Sequence, residues 1–302
     1  MLLLAYFAAV FLGAALLAPW IHRGVGALAG VFPALEALAG TSFRRYVHRS
    51  ILALALLGLL PYARALGVRT WREVGVVGPA GHWRALGAGL MAGVGGIGLG
   101  TLLVVGVGAR TLEPDLTAAR IAAVLAVAVL SASVVAVIEE ILFRGVLFGS
   151  LRRAVDWRVA LLVTSAIYAI VHFFGAPPSP RPITWSSGLA ILPAMLSGFV
   201  RVEDLIPAAI TLTVAGGVLG LTYQRLGHLW FAIGLHAGWV LWVRSYSLFT
   251  EATPGSATWL WGSDIMIDGW LALGVMSLTL VGVLIWLPGG SPQLPEPTGD
   301  RK

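Results

Sequence analysis

Long apolar runs, separated by short polar segments, are the feature that most constrains the fold of this chain. A helix needs about 20 apolar residues to cross a bilayer, and only helices and closed barrels satisfy their backbone groups there. The runs lack barrel-like alternation, so the sequence predicts an all-α, polytopic transmembrane helical bundle of about eight helices. The candidate spans are 1–19, 51–67, 85–108, 119–150, 158–175, 184–200, 205–223, 229–246 and 265–287, with 24–40 a weaker one.

The composition supports the same class. Of 302 residues, 58% are hydrophobic and 11% are charged, whereas a soluble domain has about 25% charged residues. The net charge of +6 comes mostly from arginines scattered between apolar runs, which is typical of loops that orient a membrane protein and argues against a nucleic-acid partner. The absence of cysteine excludes disulfides and a cysteine nucleophile. We expect an integral membrane protein in contact with the lipid bilayer, and the Arg-, Ala-, Gly- and Leu-rich composition favours a bacterial inner (cytoplasmic) membrane.

The chain divides into segments by hydropathy. The stretch 68–84 carries Trp and Arg residues that are typical of the membrane interface, and the last residues are rich in Pro and Gly, which is typical of disorder. Arg152, Arg153 and Arg158 predict that the loop between two central spans is cytoplasmic. The predicted segments are N-terminal transmembrane helices (1–118, including the interfacial stretch 68–84), a core (119–246), a loop and last helix (247–287) and a disordered tail (288–302).

Two adjacent carboxylates, Glu139 and Glu140, lie inside an apolar run. A buried charge costs several kcal/mol unless it is paired or neutralised, so an ionisable group at this depth indicates function. On a helix Glu140 and Arg144 are four residues apart and can form an ion pair, whereas the i+4 neighbour of Glu139 is Phe143. Glu139 is therefore the candidate general base. The alternative is a charge cluster at a helix end, but the apolar run continues beyond Arg144.

Two histidines lie in later apolar runs. A lone histidine there is more often a packing residue than a catalyst, but depth favours His172. Counted from a turn near Val155, Glu139 and His172 both lie about 25 Å away along their helices. His236 lies about 10 Å into its helix, and it reaches the same level only if 184–200 crosses the membrane. The chemistry therefore predicts that 184–200 crosses, and that the site lies in the half of the bilayer away from Val155.

A carboxylate and two imidazoles can hydrolyse a peptide bond by two routes. Glu139 and His172 can hold and deprotonate a water, while His236 donates a hydrogen bond to the oxyanion. We expect no cofactor on this route. In the alternative, Glu139, His172 and His236 would ligate a catalytic Zn²⁺ with an open position. The chain has no His-Glu-x-x-His pair on one helix.

These residues stand in motifs that resemble a known family. EEILFRG matches the Glu-Glu-x-x-x-Arg signature of the CPBP intramembrane proteases, which include type II CAAX prenyl endopeptidases and lysostaphin resistance protein A. The family's Phe-x-x-x-His motif is similar to Tyr168 through His172, and its His-x-x-x-Asn motif begins at His236. The resemblance covers about residues 119–246.

The resemblance implies roles for these residues. Glu139 and His172 would activate water and His236 would help to form the oxyanion hole, with Glu140, Arg144 and Tyr168 in support. The family has been described both as metalloproteases and as glutamic-type proteases, and we favour the glutamic type here. The family's asparagine position is Val240 in this chain, which contains no asparagine. The oxyanion hole must therefore lose a donor or recruit another, such as Tyr168, Thr164 or Trp239.

The predicted function is an intramembrane endopeptidase that cuts near the C-terminal, membrane-anchored tail of a protein or peptide substrate. The bacterial composition disfavours a prenylated substrate, and the predicted depth of the site favours a cut near the non-cytoplasmic face. Two alternatives stay open. One is a proton-coupled transporter, for which an inverted repeat is expected and none is found; the other is a non-catalytic membrane scaffold or immunity protein of the same fold, which the missing asparagine favours.

Overall fold

The computed structural model describes residues 2–114, 116–175, 178–199 and 202–287, and the side chains of all of these except 202–204. Helices make up most of this part of the chain, and one two-stranded sheet accompanies them. The predicted all-α class is therefore confirmed. The predicted disordered tail, 288–302, lies outside the described residues.

Eight helices of 15 or more residues account for most of the described chain, in agreement with the predicted number. A π-helix, Glu140–Phe148, joins α5 to α6. Strands β1 (Arg110–Leu112) and β2 (Thr250–Ala252) pair antiparallel. The α-helices are α1 Leu2–Ala29, α2 Glu36–Ala39, α3 Phe43–Ala65, α4 Trp83–Gly106, α5 Ala118–Glu139, α6 Gly149–Leu151, α7 Trp157–Val171, α8 Ser187–Ala194, α9 Val202–Leu226, α10 Trp230–Phe249, α11 Thr258–Trp261 and α12 Trp270–Trp286.

Five helices in the described residues are long and apolar enough to cross a membrane: α1, α3, α4, the continuous helix Ala118–Leu151 and Leu205–Leu226 within α9. The segment 184–200 is not among them. It forms α8, which has 8 residues, and a 3₁₀ turn of 5 residues, Met195–Phe199, and this is too short for a span of about 20 residues. The prediction that 184–200 crosses is wrong, because apolar composition does not reveal that the α-helix ends one residue after Pro193.

Contacts divide the chain into two compact units. The first unit combines Met1–Gly67 with His172–Arg201, and thus takes residues from both the predicted N-terminal segment and the predicted core. In it α1 packs on α3 and α8, and Phe43, Tyr46 and Ile191 share a buried cluster.

The second unit combines Val68–Val171 with Val202–Lys302. Its buried cluster joins α4, α9, α10 and α12 through residues such as Ile97, Leu219, Leu235 and Met276. Because the carboxylate pair, Tyr168 and His236 all belong to this unit, its internal packing fixes their geometry.

One end of the second unit is rich in arginine, and we call it the arginine-rich end; it comprises 68–84, 152–158 and 227–229. Hydrogen bonds join its parts: Leu229 N donates to Gly75 O at 3.1 Å and Trp230 Nε1 to Val77 O at 3.1 Å. An ion pair of 4.0 Å joins the guanidinium of Arg153 to the carboxylate of Glu73. The exposed arginines at this end are Arg69, Arg72, Arg84, Arg153 and Arg158.

The opposite end of this unit carries the β1–β2 sheet. There the buried guanidinium of Arg110 donates to Thr250 Oγ1 at 2.8 Å, to Thr250 O at 2.8 Å and to Asp264 Oδ1 at 3.0 Å. Both α4 and α10 therefore run from the arginine-rich end to the sheet.

Glycines allow α4 and α10 to pack with their backbones in contact. A Cβ at Gly89 or Gly93 of α4 would overlap the backbone of α10, and a Cβ at Gly234 or Gly238 of α10 would overlap the backbone of α4. Small residues of this kind permit close helix packing in membranes. We call this close contact between α4 and α10 the glycine seam. Since His236 lies between the two glycines of α10, the glycine seam also fixes the position of that imidazole.

We predict that Gly93→Ala lowers the stability of the protein by about 1–3 kcal/mol, the usual effect of overpacking. Thermal unfolding of the detergent-purified protein, followed by tryptophan fluorescence, measures this. Gly95→Ala on the same helix is the matched control, because a Cβ there meets no atom within 4 Å; it should be neutral or stabilising, since Ala favours helix over Gly by about 1 kcal/mol. Equal melting temperatures for the two variants would contradict the seam.

Candidate active site

Glu140 lies at the centre of a buried polar cluster. Its side chain is 0% exposed, and its Oε1 accepts hydrogen bonds from Arg144 Nη1 at 2.9 Å and from His236 Nδ1 at 2.8 Å. Arg144 Nη2 also donates to Gly216 O of α9 at 3.4 Å. The ion pair of Glu140 with Arg144 that the spacing predicts is therefore present. The pair also connects the π-helix to α9 and α10, which the sequence did not predict.

The bond to Glu140 determines which nitrogen of His236 is available. A carboxylate accepts hydrogen bonds, so Nδ1 carries a proton, and in the neutral imidazole Nε2 then has the lone pair. Nε2 lies 3.4 Å from the hydroxyl oxygen of Tyr168, which donates to it in this tautomer. It also lies 3.9 Å from Glu139 Oε2. The nitrogen that is free for chemistry thus faces Glu139 and Tyr168.

The two adjacent carboxylates lie in different surroundings. The side chain of Glu139 is 25% exposed and ends α5, whereas Glu140 is wholly enclosed by its partners. A general base has to reach a water molecule, and of the two only Glu139 has a partly exposed side chain, while its Oε2, which faces His236, is buried. This arrangement supports the roles that the sequence predicts, with Glu139 as base and Glu140 in support.

The formal charges of the cluster can be counted from its members. Two carboxylates, Glu139 and Glu140, face one guanidinium, that of Arg144, and His236 is hydrogen-bonded to one of the two carboxylates. The cluster therefore combines groups that can accept a proton with groups that can donate one, as acid–base chemistry requires.

Tyr168 lies against Arg144, Phe143 and His236. The guanidinium carbon of Arg144 lies 4.3 Å from the centre of its ring, and its ring meets those of Phe143 and His236 edge-on at centroid distances of 5.3 Å and 6.1 Å. The side chain is 3% exposed. These contacts fix the ring, and with it the hydroxyl group beside His236.

The π-helix was not predicted, because the run from Glu140 to Phe148 has a composition that also suits an α-helix. Its wider turns are seen where Gly149 N donates to Arg144 O, five residues earlier. The backbone of Val74 lies against Gly145, where a Cβ would come within 2.7 Å of the Val74 carbonyl oxygen. Short π segments of this kind are frequent at functional sites.

The predicted depth of the site is wrong. His236 lies six residues into α10 from Trp230, hence about 9 Å from the arginine-rich end, and Tyr168 lies about 16 Å from the same end along α7. The prediction has two errors. It treats 139–155 as a regular α-helix, whereas the π-helix within it rises less per residue and brings Glu139 closer to Val155. It also expects α10 to start at the end away from Val155, because 184–200 was expected to cross the membrane, whereas α10 starts at the arginine-rich end. The site therefore lies in the half of the unit nearer the arginine-rich end.

His172 follows the last residue of α7, is exposed, and belongs to the first unit. Its predicted role beside Glu139 rests on its motif and stays a prediction. Val240, at the position of the expected asparagine, is half-buried in α10.

The other two donor candidates have different surroundings. The hydroxyl of Thr164 donates to Ala160 O of its own helix at 2.8 Å. Trp239 Nε1 is buried without a hydrogen-bond partner among the described residues, and its ring packs in the cluster of α4, α9, α10 and α12.

A metal site is not assembled by the described residues, among which no three His, Asp or Glu side chains form a group that could hold an ion. In the cluster, Glu140 is bonded to Arg144 and His236 Nδ1 is bonded to Glu140. The third predicted zinc ligand, His172, belongs to the first unit, and the zinc alternative stays a prediction.

Residues 121–242 match the profile of the family described as type II CAAX prenyl endopeptidase Rce1-like. The match supports the assignment of this part of the chain to the CPBP intramembrane protease family. The match includes every residue of the cluster, and it confirms the resemblance drawn from the three motifs. No curated protein and no solved structure matches the chain. Its long apolar helices make the protein an integral membrane protein, and residues 121–242 are similar to a CAAX-type protease.

We predict that Glu140→Gln destabilises the protein by about 3–5 kcal/mol, because it leaves the buried charge of Arg144 uncompensated. Glu139→Gln is the matched control: it is one residue away and more exposed, and it should change stability by less than about 1 kcal/mol. Denaturation of both purified variants in detergent measures the difference. A Glu140→Gln variant as stable as the wild type would show that the pair does not hold the cluster together.

Proposed function

We propose that the protein is an intramembrane endopeptidase of the glutamic type, in which Glu139 activates a water molecule. The observation that carries this proposal is the contact between Glu139 and His236, an imidazole that Glu140 and Arg144 hold in one orientation at a buried site. Glu140 and Arg144 would be sufficient for an ion pair that only stabilises the fold. The carboxylate of Glu139 and the imidazole of His236 are additional, and hydrolysis requires groups of these two kinds.

The reaction proceeds by proton transfers that balance. Glu139 takes a proton from water, and the resulting hydroxide attacks the carbonyl carbon of the peptide bond. Negative charge develops on the carbonyl oxygen, and His236 donates to it through Nε2 when the imidazole enters the reaction with a proton on both nitrogens. Glu139 then passes its proton to the leaving nitrogen, the C–N bond breaks, and a carboxylic acid and an amine are released. The motif supports His172 as a second group that holds the water.

The proposed substrate is the membrane-anchored tail of a protein, cut near its C-terminus. The cluster lies about 9–16 Å from the arginine-rich end, so it reaches from that end to about the middle of a hydrocarbon core of about 30 Å. Basic residues favour the cytoplasmic side, and the opposite end carries the acidic Glu113, Glu251, Asp264 and Asp268. We therefore place the cut near the cytoplasmic face and withdraw the non-cytoplasmic cut that the sequence predicted.

We predict that Glu139→Gln abolishes proteolysis while the protein folds and inserts normally. The C-termini of membrane proteins are compared by mass spectrometry in cells that produce the wild type or the variant. New C-termini should appear only with the wild type. Identical sets would favour the non-catalytic scaffold, and a variant that altered proton uptake but no C-terminus would favour the transporter. Wild-type activity that survives phenanthroline would decide against zinc.

We predict that the arginine-rich end is cytoplasmic. Because the chain has no cysteine, single cysteines report on topology without further changes. Ala154→Cys lies at the arginine-rich end and Ala252→Cys at the opposite end, and both positions are exposed. In intact bacterial cells a membrane-impermeant maleimide should label only the second. Labelling of Ala154→Cys from outside would place the site in the outer half.

A further inference from the structure

The cluster has one evident hydrogen-bond donor for an oxyanion, His236. Peptide hydrolysis is faster when more than one donor stabilises the oxyanion. Each preorganised donor in an oxyanion hole contributes about 10²–10³-fold to the rate. In α10 the residue one turn after His236 is Val240, whose side chain has no donor. A second donor therefore has to come from another element.

We propose that the hydroxyl of Tyr168 is this second donor. Its oxygen lies 3.4 Å from His236 Nε2, so one substrate oxygen can lie within about 2.8 Å of both atoms, the distance of a good hydrogen bond. The two donors then converge on one point from two helices, α7 and α10. This proposal rests on the proposed peptidase function and deepens it.

The surroundings of Tyr168 suit this task. The cation of Arg144 over its ring draws electron density from the phenol and strengthens its O–H as a donor. Without substrate, the hydroxyl donates to Nε2 of His236. When Nε2 carries a proton, it can no longer accept, and the hydroxyl turns to the developing oxyanion.

The alternatives on neighbouring elements are less suitable. Thr164 uses its hydroxyl within its own helix. Trp239 packs with Ile97, Leu219 and Met276 in the cluster of α4, α9, α10 and α12. Tyr168 is the candidate whose hydroxyl lies 3.4 Å from His236 Nε2.

The test is Tyr168→Phe, which removes the hydroxyl and keeps the ring contacts. The full-length enzyme is reconstituted in liposomes with membrane proteins from cells that produce the Glu139→Gln variant, which serve as substrates, and the appearance of new C-termini is followed over time. The substrate that the wild-type enzyme cuts fastest is used to compare the two enzymes. We expect the kcat of Tyr168→Phe to be about 10²–10³-fold lower, with KM and the melting temperature unchanged. Tyr223→Phe is the matched control, since Tyr223 is a buried tyrosine of the same unit whose hydroxyl faces Glu73 O; it should keep the wild-type rate.

A second variant shows whether the loss comes from the missing hydrogen-bond donor or from altered packing. Val240→Asn, added to Tyr168→Phe, supplies a donor one turn from His236 and should raise kcat at least tenfold above that of Tyr168→Phe alone. A Tyr168→Phe enzyme within threefold of the wild-type kcat would overturn the proposal, and so would an inactive one that Val240→Asn does not rescue. If the wild type itself makes no cut that Glu139→Gln lacks, the proposed function fails instead.

Discussion

One buried carboxylate holds the polar interior of this protein together. Glu140 accepts hydrogen bonds from Arg144 and His236 with a single oxygen, and Arg144 extends the network to the backbone of α9. A buried charge that loses its partner costs more than the pair contributes. The π-helix, α9 and α10 must therefore keep their mutual positions, and the geometry around His236 follows from that requirement.

Much of this could be predicted from local spacing. The apolar runs give the all-α class because lipid satisfies no backbone group, and the four-residue spacing gives the pair of Glu140 with Arg144. The separation of Glu139 from Glu140 also follows from the spacing, because adjacent residues lie about 100° apart on a helix. These inferences need only one helix at a time, and they are the ones that agree with the structure.

The errors came from inferences that join several elements. The depth of His236 depended on whether 184–200 crosses, and the apolar composition does not show that α8 ends one residue after Pro193. The π-helix changes the rise between Glu139 and Val155, yet no residue in that stretch marks it. Its wide turns accompany tertiary contacts, such as the close approach of Val74 to Gly145. Local patterns cannot contain that information.

The glycine seam has a consequence for which parts of the protein can move. Because α4 and α10 touch through their backbones, α10 cannot slide or rotate without overlap, and His236 is carried by a rigid wall. The helix that leads to Glu139 is different, since only Ala128, Ala132 and Ala136 of α5 are buried. Motion that admits a substrate from the bilayer is therefore easier along α5, before Glu139, than at the contact of α4 with α10.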